Sequence, residues 1–353
     1  MTVPGGGTFG ARSVDWVRQM GGSRVVAWLE NVWYGYRQPP AGGMPTTSLD
    51  ANGLEPGAVD SQGPGPPLSG QARPPAVASI AVPALPGEGV WQPIGRPVGG
   101  APALYAAFLR PDPVHTSLTA GLVCIDPGLA ELRLVAGSVQ TGGGGWQDAA
   151  PLPPAVWGRL LATFNGGFRL ADGRGGYYEA GRTARPLADG AASLVIRRDG
   201  IATVGEWGRD ASMGPGVHAV RQNLSLVVDG GRITPAVSHD SPRAWGATVR
   251  NAVLVWRSGI GVTPSGALVY VARPGLSVQS LADILIHAGA ERAMELDINS
   301  TWVDFVSFRP LRGDAPGARN GSKLLPGMGG DPGRYLGPST RDFFAVLARQ
   351  RGL

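Results

Sequence analysis

Residues 277–302 read SVQSLADILIHAGAERAMELDINSTW, and the reading of this stretch decides the fold. Leu281, Ile284, Leu285 and Ala288 recur at three- and four-residue spacing, which gathers them on one face of a helix. Ser277 stands where an N-cap belongs and Gly289 where a helix ends in the left-handed region, so the pattern predicts a helix over 277–288. Residues 293–296 then read as a strand ending at Asp297, with Ile298-Asn299-Ser300-Thr301 turning after it. A helix packed on a strand aims the strand's carboxyl end, and with it Asp297, outward. Alternation puts Glu295 and Asp297 on one face, about 7 Å apart along the backbone. Neighbouring carboxylates push their pKa values apart, which general acid/base chemistry requires. The same two residues also fit a plainer arrangement, with Asp297 capping a turn and Glu295 paired with an arginine.

Upstream of this unit the chain is punctuated by turns. The segments 103–109, 118–125 and 129–135 read as strands, the last two joined across Asp126-Pro127-Gly128. Hairpins are predicted for 192–205 across Arg198-Asp199-Gly200, and for 224–234 across Asp229-Gly230-Gly231. Segments 252–256 and 267–272 are further strands. A short helix is expected over 154–162, with proline in its first turn, and a final one near 341–349. The expected fold class is α+β: mixed, mainly antiparallel β-sheets with few helices and Gly/Pro-rich loops. Three regions are expected: a helical segment at 1–37, a Pro/Gly-rich linker or wrapping segment at 38–89, and the main domain at 90–353.

Composition supports a turn-rich fold and closes several other routes. Gly (56) and Pro (32) make up a quarter of the 353 residues, which argues against a helical bundle. The net charge is +5 and every basic residue except Lys323 is arginine. That bias fits a GC-rich coding preference, and it fits an anionic ligand as well, since guanidinium grips phosphate and carboxylate bidentately. No dense arginine run or helix-turn-helix signal supports a nucleic-acid partner. The lone Cys124 lies in an apolar run and offers neither a disulfide framework nor a cysteine zinc site. The four histidines lack HExxH or paired spacing, so no metal and no cofactor is expected. No apolar stretch is long enough to span a membrane, and residues 1–7 are unlike a signal peptide.

Two further segments bear on chemistry. Asn165-Gly166-Gly167 lets backbone approach a ligand closely beside an amide that both donates and accepts hydrogen bonds, although Asn-Gly is also an ordinary turn. Trp256-Arg257-Ser258-Gly259-Ile260-Gly261 places an arginine after an apolar strand, suited to clamping a phosphate or to pairing with Asp297.

The order of these motifs resembles the phosphodiester glycosidase family, which includes the enzyme that uncovers mannose 6-phosphate by removing N-acetylglucosamine. The family's Asn-Gly-Gly-Phe-Phe motif is similar to Asn165–Phe168, its Arg-Thr-Ala-Ile-Gly segment to Arg257–Gly261, and its Leu-Asp-Gly-Gly-Gly-Ser-Ser motif to Leu296–Thr301. The resemblance covers roughly residues 90–310 and departs from the family at Ile298-Asn299-Ser300, where side chains replace glycines. The segments Trp207–Asp210, Arg221–Asn223 and Ala244–Gly246 suggest a divergent actinobacterial envelope subgroup.

The resemblance implies a hydrolase acting on a carbohydrate or sugar-phosphate, outside the cytoplasm, its leader or anchor lying in a segment absent from this chain. Asp297 would be the nucleophile or base, Glu295 a second carboxylate, and Arg257 the phosphate clamp. Asn165, Gly166, Gly167 and Asn299 would hold the sugar, with Asn223, Glu179 and Asp210 in reserve. An ordinary glycoside hydrolase, its two carboxylates about 5 Å or about 6.5–9.5 Å apart, and a non-catalytic glycan-binding module are the competing expectations.

Overall fold

In the computed structural model the helix expected over 277–288 spans Val278–His287. Ser277 caps it by accepting from the Ser280 amide at 2.9 Å, and Gly289 follows at φ +87°. The structure describes residues 39–46, 49, 72–239, 242–246, 253–310 and 314–350. The helical segment expected at 1–37 and most of the stretch at 38–89 lie outside the described residues.

Among the described residues the α-helices are α1 (Pro154–Trp157), α2 (Pro235–His239) and α3 (Val278–His287). The strands begin with β1 (Gln92–Ile94), β2 (Leu104–Leu109), β3 (Ala120–Ile125), β4 (Ala130–Val135), β5 (Leu160–Asn165) and β6 (Tyr177–Glu179). Next come β7 (Arg182–Arg185), β8 (Ala192–Arg197), β9 (Ala202–Glu206), β10 (Val217–Gln222), β11 (Leu226–Asp229) and β12 (Arg232–Ile233). The series closes with β13 (Val255–Val262), β14 (Leu268–Leu276), β15 (Arg292–Glu295), β16 (Phe305–Phe308), β17 (Gly321–Lys323) and β18 (Phe343–Ala348). The fold is α+β with mainly antiparallel sheets, as the turn-rich sequence implies.

An eight-stranded sheet runs β1-β2-β3-β14-β13-β15-β11-β12. Two five-stranded sheets, β7-β6-β10-β8-β9 and β17-β16-β5-β18-β4, complete the layers. One core joins all three: Val123 and Tyr270 from the large sheet meet Leu194 and Ile196 from the second and Phe164 and Phe344 from the third. A second core lies where α3 covers the large sheet through Leu281, Ile284 and Leu285, all fully buried. Each such side chain stabilises the fold by about 1.5–3 kcal/mol through apolar burial. Gly259 and Gly261 make this close packing feasible. A β-carbon on Gly261 would lie 2.6 Å from the Ala290 β-carbon, and one on Gly259 would lie 3.1 Å from Leu281.

Three local expectations are corrected. The helix expected over 154–162 stops at Trp157, and Leu160–Asn165 is instead a strand buried along its whole length. The final helix expected near 341–349 is β18, buried from Phe343 to Leu347 between β4 and β5. A continuous apolar run fits either period, and burial on both faces selects the strand. The strand expected over 252–256 runs Val255–Val262, so Arg257–Gly261 lie within it rather than after it.

Candidate active site

β5 delivers Asn165 to the point where the large sheet meets the third. Its amide is fully used: the nitrogen donates to Gly166 O at 2.8 Å and Ser258 Oγ at 3.0 Å. Its Oδ1 accepts from Tyr270 Oη at 2.9 Å and from the Asp304 amide at 3.1 Å. Ser258, on β13, carries the chain of contacts onward. Its amide donates to Asp297 O at 2.9 Å, and its hydroxyl accepts from the Asp297 amide at 3.2 Å. The Asn165 turn and Asp297, 132 positions apart in the sequence, are therefore one hydrogen-bonded unit.

Gly166 and Gly167 are required by space. A β-carbon on Gly166 would lie 2.7 Å from Asp342 O, and one on Gly167 3.1 Å from Asn223 Cγ. Asn223 clamps the other side. Its Oδ1 accepts from the Phe168 amide at 3.1 Å, and its nitrogen donates to Glu295 O at 2.9 Å and Leu296 O at 3.0 Å.

The Asp297 side chain is 6% exposed, and both carboxylate oxygens are hydrogen-bonded. Oδ1 accepts from the amides of Ile298 at 2.7 Å and Asn299 at 2.9 Å; Oδ2 accepts from Arg341 Nη2 at 2.8 Å. Arg341 Nη2 also donates to Gly167 O at 2.8 Å, and its guanidinium lies 5.0 Å from the Trp302 ring centre. Burial pushes the Asp297 carboxyl above its ordinary value, and Arg341 and the two amides pull only partly against it. Beside this pair, Arg221 Nε donates to Asp342 Oδ2 at 2.7 Å, with both side chains buried.

Glu295 and Arg257 are the neighbouring layer. Arg257 pairs with Glu295 and donates to Leu276 O at 3.0 Å and Trp245 O at 3.1 Å. Its guanidinium is thus committed to protein acceptors, and the arginine that touches Asp297 is Arg341. Burial raises the Glu295 carboxyl, Arg257 lowers it, and Asp297 raises it further. Both features of the plainer arrangement are present, since Glu295 has its arginine and Asp297 caps its turn.

Asn299 is half-buried after Asp297, its Oδ1 accepting from the Thr301 amide at 2.9 Å. Glu179 and Asp210 lie elsewhere. Glu179 ends β6 beside Asp148 and His218, while Asp210, in the turn that follows β9, pairs with Arg209 at 2.7 Å and with Arg292 of β15 at 3.4 Å. Arg341, Asp342 and Arg221 were not among the site residues expected from the sequence, Arg221 being noted only as part of a subgroup segment. The Arg341-Asp342 dipeptide in front of an apolar run was the available signal, and it is readable only once that run is assigned as a strand.

An acid, an amide and two arginines thus converge from β5, β10, β15 and the approach to β18 into one buried polar centre. Residues 158–303 match the family model described as phosphodiester glycosidase. That span holds the three motifs from Asn165 to Thr301, and the family resemblance read from their order is matched there. No curated protein matches the chain. Among solved structures, the zebrafish N-acetylglucosamine-1-phosphodiester alpha-N-acetylglucosaminidase catalytic domain, auto-inhibited by its pro-peptide, is 13% identical over 71% of this chain and 85% of that one, with a TM-score of 0.43. A Synechocystis protein is 15% identical over 73% of this chain and 64% of its own, TM-score 0.38. A Burkholderia pseudomallei protein described as exported is 14% identical over 66% and 74%, TM-score 0.31. No helix among the described residues is long and apolar enough to cross a membrane.

Proposed function

We propose that this protein is an extracytoplasmic hydrolase that cleaves the glycosidic bond of a glycosyl phosphodiester or a related cell-envelope glycan. The observation that carries the reading is Asp297, held by the Asn299 and Ile298 amides and by Arg341 against the Asn165-Gly166-Gly167 turn, within the span matched by a glycosidase family. Phosphate leaves with the bonding electron pair and needs little protonation, so the demand on the site is a nucleophile or base and a counter-charge. Asp297 fills the first role, attacking the anomeric carbon or taking a proton from water.

Arg341 supplies the counter-charge. A phosphodiester reaching Arg341 competes for the guanidinium that Asp297 Oδ2 accepts from, so substrate binding itself frees the carboxylate. Arg257 and Glu295 hold the floor beneath Asp297, with Glu295 as the second carboxylate. Asn165, Asn223, Gly166 and Gly167 shape the turn, and half-buried Asn299 faces the sugar. Glu179 and Asp210 stand outside this arrangement.

A screen of glycosyl phosphodiesters and cell-wall fragments tests the proposal, with Asp297→Asn as the control and cell fractionation for location. Turnover that survives Asp297→Asn overturns the assignment of the acid. A second reading, a glycan-binding module without chemistry, draws on the hydrogen-bonded carboxylate and on Ile298-Asn299-Ser300. Ligand binding with no hydrolysis of any candidate would favour it.

A further inference from the structure

Away from Asp297, three segments bring Asp148, Glu179 and His218 together with one ligand atom from each, all within 4.8 Å of one another. His218 Nε2 stands 3.8 Å from Asp148 Oδ2 and 3.9 Å from Glu179 Oε1. We propose that this trio binds a single divalent transition-metal ion, for which zinc is the best match. The proposal is independent of the hydrolase reading.

The strongest observation is Glu179. Its side chain is 1% exposed, and Oε1, the atom aimed at His218, has no hydrogen-bond partner. Leaving a carboxylate oxygen buried and unpartnered is costly, whereas a cation in front of it removes that cost. The backbone is shaped to keep the three groups in place. Val217 pairs with Arg197 and Ala219 with Ile196, so His218 is the extra residue of a bulge, a device that re-aims a side chain. Glu179 precedes the tight turn Ala180-Gly181, where Ala180 adopts φ 49° and its amide donates to His218 O at 2.8 Å. Asp148 is fixed through its carbonyl, which accepts from the Ala136 amide at 2.8 Å. Arg133 takes Asp148 Oδ1 at 3.2 Å and leaves Oδ2 for the trio.

Donor chemistry selects the ion. One imidazole and two carboxylates suit zinc and its first-row neighbours, while calcium and magnesium favour all-oxygen sets. With metal–ligand bonds of about 2.0–2.2 Å, tetrahedral donors lie about 3.4 Å apart, so each His218 separation must close by about 0.5 Å. Three protein ligands leave the remaining position to water. The ion would tie the segment after β4 to the β6–β7 hairpin and to β10, the strand that runs on to Arg221 and Asn223.

The test is calorimetric titration of the chelator-stripped full chain with zinc chloride, repeated on His218→Gln and Asp148→Asn. The His218 side chain is 20% exposed, so its replacement is compatible with folding, and circular dichroism checks this. One ion per chain is expected, with affinity falling at least about tenfold in each variant. His115→Gln, altering the Asp112–His115 pair instead, is expected to bind zinc like the parent. Cobalt(II) should give visible d–d absorption that His218→Gln abolishes. Absence of saturable zinc or cobalt binding by the parent chain, or equal affinity in parent and His218→Gln, would overturn the site.

Discussion

Two buried aspartates bracket the loop between β15 and β16, and they are treated oppositely. Asp297 meets three donors, two amides and the Arg341 guanidinium. Asp304 is completely buried, neither carboxylate oxygen has a hydrogen-bond partner, and the nearest cation, Arg334 Nη1, is 3.9 Å away. Burial raises both groups, but Asp304 reaches about 7 because Arg334 and Lys323 oppose the desolvation only from a distance. The contrast separates two uses of a buried acid. Asp297 is kept ionisable by direct donors, while Asp304 contributes its backbone, through which it binds Asn165. Arginines repeat the pattern on adjacent strands. Arg257 has three acceptors, whereas Arg273, its partner in register, has none for Nε, Nη1 or Nη2 among the described residues.

The comparison is most directly broken at Asp297. Asp297→Asn keeps the turn acceptor and removes the charge, and turnover of a glycosyl phosphodiester should fall by about a thousandfold, read by steady-state kinetics. Asn165→Ala strips partners from Gly166 O, Ser258 Oγ, Tyr270 Oη and the Asp304 amide, and urea unfolding should record a loss of about 4–6 kcal/mol.

Asp304→Asn tests the other acid through pH. Between an unfolded value near 3.8 and a folded value of about 7, the folded chain holds the extra proton, so stability falls as pH rises through that window. The variant escapes this, and its advantage over the parent should grow from none near pH 4 to at most about 4 kcal/mol at pH 8. Equal pH profiles for the two proteins would show Asp304 to be properly partnered. Arg273→Met removes three orphaned donors and should raise stability by about 1–3 kcal/mol in the same assay. Smallest of all, Asp210→Ala should cost at most about 1 kcal/mol and leave turnover unchanged, because its charged partners are Arg209 and Arg292 and none of the groups bonded to Asp297.

Much of this arrangement was legible in the sequence wherever the determinants are local. The Ser277 cap, the spacing of Leu281, Ile284 and Leu285, and the Gly-containing turns of the hairpins each act over a few residues. The acid at the end of the helix–strand unit was legible for the same reason. Its partner was not. Arg341 lies 44 residues beyond Asp297, and Asp342 lies 121 beyond Arg221, so no local period reports either pair. Phe343–Ala348 is apolar throughout and reads equally as helix or strand until β4 and β5 are known to flank it. Arg257 read as a phosphate clamp or a partner of Asp297 because two of its three acceptors, Leu276 O and Trp245 O, are main-chain atoms whose positions depend on the finished sheet.

β18 slots between β4 and β5, strands made some two hundred residues earlier, and the residues just ahead of it complete the polar centre. During synthesis the third sheet must therefore wait with a gap between two strands, and the acid must wait without its counter-ion. A nascent chain halted before residue 341 would leave apolar strand faces uncovered, which makes emergence of this segment the event that completes the domain.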